Sequence, residues 1–451
     1  MLRLIDLSLS SLLVIAALSL SSNLSYAKNL SVNKFDSNEE KIVQRVQADL
    51  PLALQEIEQA VNINSGSMNL SGVKQVGELA KQQLLALGFD VQWHDGSAFN
   101  RAGHIVATHK SENINAIKIL MIGHLDTVFA KHDDFQKFKR ISETQASGPG
   151  VADMKGGNTI IISALRVLKT LGLLDNVSIQ VVLTGDEESS GRPLSLSKKA
   201  IVDGAIWADV ALGFENGDNN IATGMAARRG YVGWSLNVSG KPAHSSQIFS
   251  KKIGFGAIYE TARILEAFRT ELANEKDLTF NPGLIVGGTK VEVDKAKSTG
   301  EAFGKSNVIA QQVTVKGDLR ALSNAQAAHA QQVMQKIVSN NLNQTDATLV
   351  FEEGYPPMAL TDGNKRLLSL YSQISQDLGY NEVGIANPRN AGAADISFAA
   401  DHVAMSLDGL GLMGSGAHTK NEVADLTSLP KNIEKAALLI YRLSNKAIAI
   451  Y

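Results

Sequence analysis

The chain has 451 residues, 44% of them hydrophobic and 20% charged, with a formal net charge of −2. That length suggests two or three domains with enough material for a large core, and the near-neutral charge gives no reason to expect a nucleic-acid or membrane-surface partner. There is no cysteine, which excludes disulfides and thiolate metal sites and leaves His, Asp and Glu to hold any metal.

In chain order, Arg3, the short apolar run Leu12–Leu20 and the small-x-small stretch Ser25-Tyr26-Ala27 read as a signal peptide over residues 1–27. The run is too short and too broken by serine for a membrane span. The mature protein is therefore expected in the bacterial periplasm or secreted, away from the membrane. Ile42, Val46, Leu50, Leu54 and Ile57 recur at helical spacing from Glu39 to about Asn62. A second helix is predicted from about Gly72 to Leu87, stopping at Gly88. Strands are predicted at Val91–His94, His104–His109 and Lys118–Gly123, then a helix at Asn158–Leu171. Val177–Thr184 and Val210–Phe214 are apolar runs suited to a sheet covered on both faces. Alternating strands and helices imply an α/β sandwich.

After about Arg229 the pattern changes. Tyr231–Ser239 and Gln312–Arg320 alternate, and helices are predicted at about Phe255–Leu272 and Ala325–Val338. This suggests a ferredoxin-like α+β unit. After Gly354 the first pattern resumes, with a helix at about Asn364–Leu378 and a strand at Val403–Leu407. The expected organisation is a catalytic domain in two parts, 28–228 and 355–451, with a second domain inserted at 229–354.

Acids and histidines cluster where strands end. His124 and Asp126 follow one strand, and residues two apart on an extended chain share a side. Such a pair lets a carboxylate hold an imidazole in the tautomer that a metal needs. Asp153 lies in a glycine-rich loop before a helix, Glu187 and Glu188 follow a buried strand, Glu215 follows another, and His418 lies in a second glycine-rich loop. Ligands of open α/β sheets bind outside the carboxyl ends of the strands. So many ionisable groups there call for a cation.

The motifs Gly-His-x-Asp-Thr-Val at 123–128, Gly-Pro-Gly-x-x-Asp-x-Lys-Gly-Gly at 148–157, Asp-Glu-Glu at 186–188 and Gly-Ser-Gly-Ala-His at 414–418 carry a resemblance. The chain resembles the dizinc metallopeptidase family of glutamate carboxypeptidase, aminoacylase, acetylornithine deacetylase and succinyl-diaminopimelate desuccinylase, and glutamate carboxypeptidase most. The resemblance implies a zinc-exopeptidase-like α/β/α sandwich with an inserted lid and dimerisation domain, and a homodimer. It implies that Asp153 bridges two Zn²⁺ ions, with His124 and Glu215 completing one shell and Glu188 and His418 the other. Glu187 is then the general base for a metal-activated water, and Asp126 orients His124. It also implies a cis peptide between Asp153 and Met154. In the inserted domain, His244 would meet the substrate carbonyl oxygen, and Asn307 and Arg320 a substrate carboxylate. Asp395 would belong to a substrate loop.

The implied reaction is cleavage of an amide next to a free carboxylate, on a small peptide or an N-acyl amino acid. The metal set equally accepts Co²⁺ or Mn²⁺. An N-acyl amino acid deacylase or a dipeptidase would share the whole metal centre and differ in the pocket, where Ala310 and Ala394 depart from the family pattern. A binding protein on an inactive hydrolase fold is the alternative from another class, and the presence of Glu187 argues against it.

Overall fold

The computed structural model describes residues 35–294 and 299–445; the expected signal segment and its cleavage site lie outside the described residues. Contacts divide the chain into two units, Met1–Lys41 and Ile42–Tyr451. In the first, the Asp36 carboxylate accepts the backbone N–H groups of Asn38 and Glu39 and caps the start of the helix Ser37–Val61. The second carries the sheets.

Its main sheet has six strands in the order Asp90–Asp95, Gly103–His109, Val177–Thr184, Ile117–His124, Val210–Gly213 and Met405–Leu407. The first two run antiparallel to their neighbours, and the last four are parallel to one another. The register pairs His124 with Thr184 and Ile122 with Gly213, so three parallel strands end at one edge. Leu120, Ile122, Val182 and Ala211 pack against the helix Lys199–Trp207 and the segment around Ile396. The alternate residues Ile119, Met121, Ile179 and Val181 are fully buried as well, as a sheet covered on both faces requires.

Between residues 232 and 351 the chain forms its own sheet. Four strands, Val232–Gly240, Thr279–Gly288, Gln312–Arg320 and Thr345–Phe351, pair antiparallel in the spatial order second, third, first, fourth. The helices Gly256–Leu272 and Asn324–Val338 complete a ferredoxin-like layer pair whose core holds Trp234, Leu236, Phe268, Val315 and Met334. The mixed α/β architecture expected above is thus the one observed. The chain enters and leaves this unit on paired segments, with Arg228 bridging Met358 and Tyr231 bridging Tyr355.

Several elements carry no clear sequence signal, and for three of them the reason is plain. The strand Thr279–Gly288 contains Pro282 and Gly283, which read as loop, yet it lies at the sheet edge with an irregular register at Pro282, where proline is tolerated. The C-terminal helix Ser428–Asn445 begins Ser-Leu-Pro, and proline in the first helical turn breaks nothing. Lys199–Trp207 is short and apolar and has little helical period to detect. No helix of the described residues is long and apolar enough to cross a membrane.

Candidate active site

The edge where the parallel strands end gathers the acids. His124 is the last residue of its strand, Glu187 and Glu188 follow Thr184, and Glu215 lies two residues past Gly213. Asp153 comes from the turn before the helix Gly156–Thr170. That turn starts at Gly150 with φ of 74°, where a Cβ would also lie 2.5 Å from Thr127 Cγ2. At Gly157 a Cβ would come within 2.1 Å of the Phe214 carbonyl oxygen, so glycine lets the helix start lie against the Glu215 segment. The Asp153–Met154 peptide is cis, as the resemblance implied. His418 has φ of 63°, beside Gly416 at 69°, a left-handed turn that non-glycine residues seldom adopt.

Two ligand groups share one carboxylate. His124 Nε2 lies 3.2 Å from Asp153 Oδ1 and 3.2 Å from Glu215 Oε1. His418 Nε2 lies 3.2 Å from Asp153 Oδ2 and 3.2 Å from Glu188 Oε2. Each oxygen of Asp153 therefore belongs to a different group. A tetrahedral shell with bonds of about 2.0 Å spaces its ligand atoms about 3.3 Å apart. The spacing and the N/O donor set thus fit two divalent metal ions bridged by Asp153.

The charges agree. Hydrogen bonds that His418 donates to Asp153 and Glu188 push its pKa up to about 11. Burial opposes a proton on His124, but the charge of Glu215 and bonds to Asp126, Asp153 and Glu215 outweigh it and raise its pKa. Burial, then the Asp153 charge, push Glu215 up to about 7. The site attracts positive charge at the two points where the ligand groups converge. Glu187 is different: among the described residues no donor pairs with its carboxylate. Burial foremost, then the Glu215, Asp395 and Glu188 charges, raise its pKa well above the usual range against the pull of His124. It is a free carboxyl group in a cleft, partly open to solvent.

Asp126 meets His124 through its backbone carbonyl as well as its carboxylate. His124 Nδ1 donates to the Asp126 backbone carbonyl at 3.0 Å, while the carboxylate is 3.5 Å away. That bond still leaves the Nε2 lone pair facing Asp153 and Glu215. The fully buried Asp126 carboxylate also accepts the backbone N–H of Glu187 at 3.0 Å, that of Glu188 at 3.1 Å and the Ser67 hydroxyl at 2.5 Å. It positions the two adjacent glutamates.

Four further supports were not read from sequence. Glu422, fully buried, accepts the backbone N–H groups of Gly150, Ala152 and Asp153 at 2.9–3.1 Å and so shapes the Asp153 turn. Its place four residues after His418 was the only available signal. Asp408 accepts the Glu215 backbone N–H at 3.3 Å and pairs with buried Arg228 at 2.7 Å. Buried Lys198 pairs with Asp186 and with Asp395, at 3.0 Å each, and so supplies the positive charge behind the first acid of Asp-Glu-Glu. His104 Nδ1 accepts the Gly185 N–H at 3.1 Å and Nε2 donates to the Ser197 carbonyl at 2.8 Å.

The expected substrate residues are placed otherwise. Asp395 is buried, and its carboxylate accepts from Thr184 at 2.6 Å and Tyr355 at 3.2 Å besides pairing with Lys198. It is spent inside the protein and does not face a substrate. Arg320 pairs with Asp318 at 2.8 Å and lies over the Tyr231 ring, so its carboxylate partner here is internal. His244 and Asn307 are exposed neighbours on the inserted unit, where Ser245 N–H donates to the Asn307 carbonyl at 2.9 Å. Neither belongs to the two ligand groups.

The Glu422 contacts generate a prediction. Glu422→Gln cannot satisfy the three N–H donors equally, so the Asp153 turn loosens. Metal affinity is expected to fall about 10- to 100-fold, as with other groups that orient ligands, while the circular-dichroism spectrum is retained. Metal titration checks it; unchanged affinity would show that the turn holds its shape without Glu422.

Comparison with known proteins places this geometry in a family. Residues 120–442 match the model of peptidase family M20/M25/M40. Carboxypeptidase G2 of Pseudomonas sp. (strain RS-16) is 27% identical over 399 residues, covering 86% of this chain and 89% of that one. The crystal structure of aminopeptidase PepT from Bacillus cereus superposes with a TM-score of 0.70 at 19% identity, covering 88% of this chain and 99% of the other. The Bacillus subtilis YXEP protein, described as a dinuclear metal-binding peptidase of family M20, gives 0.60 at 12% identity, covering 89% and 99%. The chain belongs to peptidase family M20/M25/M40 and is a metallopeptidase-type hydrolase.

Proposed function

We propose that the protein is an exported hydrolase, periplasmic or secreted, that cleaves an amide bond next to a free carboxylate in the manner of a glutamate carboxypeptidase, using two Zn²⁺ ions. One observation carries the reading: the unpaired carboxyl of Glu187 stands beside two ligand groups joined through Asp153. His124, Asp153 and Glu215 would hold one ion, and Asp153, Glu188 and His418 the other. When bound, the ions would polarise the scissile carbonyl and lower the pKa of water.

The chain's own groups supply the rest. Glu187 takes a proton from the attacking water and delivers it to the leaving amine. Its backbone is fixed by Asp126 and by the Tyr355 hydroxyl, which donates to the Glu187 carbonyl at 3.2 Å. His244 Nδ1 accepts from the Ser246 backbone N–H at 3.3 Å, which leaves the ring proton on Nε2, free to donate to a substrate oxygen. Closure of the inserted domain over the cleft would bring His244 and Asn307 to the substrate and expel water. Arg320 would exchange Asp318 for a substrate carboxylate, to which its planar fork is suited.

A homodimer through the inserted domain is part of the proposal. The edge strand Thr279–Gly288 exposes Ile285 at 58%, and the adjoining helix exposes Ile258 at 53% and Tyr259 at 53%. An unpaired strand edge with apolar neighbours suits pairing with a second copy.

Two outcomes follow. Glu187→Ala is expected to lower kcat by at least a hundredfold, the lower end for a lost proton-transfer group, while both metals stay bound. Metal analysis beside hydrolysis of N-acylglutamates decides it: loss of metal with activity would show Glu187 to be a ligand instead. If His244 serves the partner's site, mixing inactive His244→Ala and Glu187→Ala proteins should restore activity, because one site in each mixed dimer is intact. A verified mixed dimer without recovery contradicts donation across the dimer.

A further inference from the structure

Beside the metal-ligand groups lies a cavity of about 540 Å³ that the mechanism above does not use. Its lining includes Ser67, Met68, Thr127, Val128, Ala130 and the ligand Glu188. Met68 is 70% exposed and Val128 is 39% exposed. Exposed apolar side chains gathered around a concave surface at a catalytic centre mark binding of an apolar group.

The walls are rigidly built. The Ser67 N–H donates to the Thr127 carbonyl at 3.1 Å, and the Thr127 N–H donates to the Ser65 carbonyl at 2.9 Å. The Asn64 side chain donates to the carbonyls of Phe129 at 3.1 Å and Ala130 at 3.2 Å. A Cβ at Gly66 would lie 2.3 Å from the Phe129 carbonyl oxygen, so the two loops approach as closely as glycine allows. On the far side, Arg101 Nε donates to the Ser189 carbonyl at 2.6 Å. Met68 directly follows Ser67, whose hydroxyl binds the Asp126 carboxylate at 2.5 Å. The support that aims Glu187 and Glu188 thus also holds Met68 out toward solvent beside Glu188. Lys131 and His132 stand among the remaining lining residues, polar groups that leave the apolar stretch between Met68 and Val128.

We infer that this cavity is the acyl subsite, taking an apolar chain of four or more carbons on the carbonyl side of the scissile amide. The inference rests on the amide hydrolysis proposed above. No residue of the inserted unit lines the cavity, and that unit carries the groups proposed for the carboxylate on the amine side. The carbonyl side remains. Methionine suits the role, because its flexible, polarisable chain adapts to varied apolar partners.

The test uses the zinc-loaded full-length protein and straight-chain carboxylates from acetate to octanoate, which are products of the proposed reaction. Calorimetry compares the wild type with Met68→Gln/Val128→Thr, two near-isosteric neutral changes at exposed positions. In the wild type, affinity should rise roughly two- to fourfold per added methylene, the range for partial to full burial of a CH₂. In the variant the rise should shrink to under half of that on a logarithmic scale, with acetate binding unchanged. Equal chain-length dependence in both proteins, or none in the wild type, overturns the subsite. Hydrolysis of N-acetyl- and N-octanoylglutamate is followed in parallel: no turnover of either would count against the proposed reaction, while the binding slopes still decide the subsite.

Discussion

The carboxylate of Asp153 belongs to two ligand groups at once, and the rest of the structure is arranged to make that possible. Four acids, Asp153, Glu187, Glu188 and Glu215, converge with two histidines on one cleft. Two like charges 4 Å apart repel by about 4 kcal/mol at a surface-like dielectric, so this convergence works against folding unless cations offset it. The Asp153 turn answers with geometry: glycines at 150 and 157 admit the close approaches, and Glu422 gathers three N–H groups of the turn. The two oxygens of one side chain then face opposite ligand groups.

A second set of acids never meets the ligand positions. Asp126, Asp186, Asp395, Asp408 and Glu422 are all buried, and each is consumed by backbone N–H groups, by Lys198 or by Arg228. Charges buried this deeply persist only when paired and hydrogen-bonded. The division explains why acids cluster so densely at this sheet edge. One set gathers its oxygen atoms at the two candidate metal positions, and the other fixes the loops that carry them. Two of these supports also touch the segments leading into and out of the inserted unit. Arg228 lies on the way in, and Tyr355, on the way out, shares its one hydroxyl proton between the carbonyl of Glu187 and Asp395. Movement of the inserted unit would therefore act directly on the residues that hold Glu187 and Glu215.

What could be read from the chain divides along physical lines. The parallel strands are long apolar runs and the main helices strongly periodic, so the α/β architecture and its strand-end acids were legible. Of the candidate ligand residues, His124, Asp153, Glu188 and His418 sit in dense local motifs such as Gly-His-x-Asp, while Glu215 stands out only as an acid just past an apolar strand. The strand Thr279–Gly288 and the helix Ser428–Asn445 were hidden by prolines that only tertiary position makes harmless. The long-range partners were hidden for another reason. Lys198 is an ordinary lysine in sequence and becomes the counter-charge of Asp186 and Asp395 only when folding brings residue 395 across the sheet. Asp395 was misread on the same account, since nothing local distinguishes an aspartate facing a substrate from one facing a buried lysine. Asp126 was legible as the neighbour of His124, but the closer bond runs to its backbone carbonyl, which carries no sequence signal.

The central claim is that one carboxylate joins two metal sites. Anomalous scattering from crystals of the zinc-loaded protein, recorded at the zinc absorption edge, addresses it directly. The account predicts two peaks, one among His124, Asp153 and Glu215 and the other among Asp153, Glu188 and His418, on opposite oxygens of Asp153. A single peak, or two peaks that do not share Asp153, would contradict it.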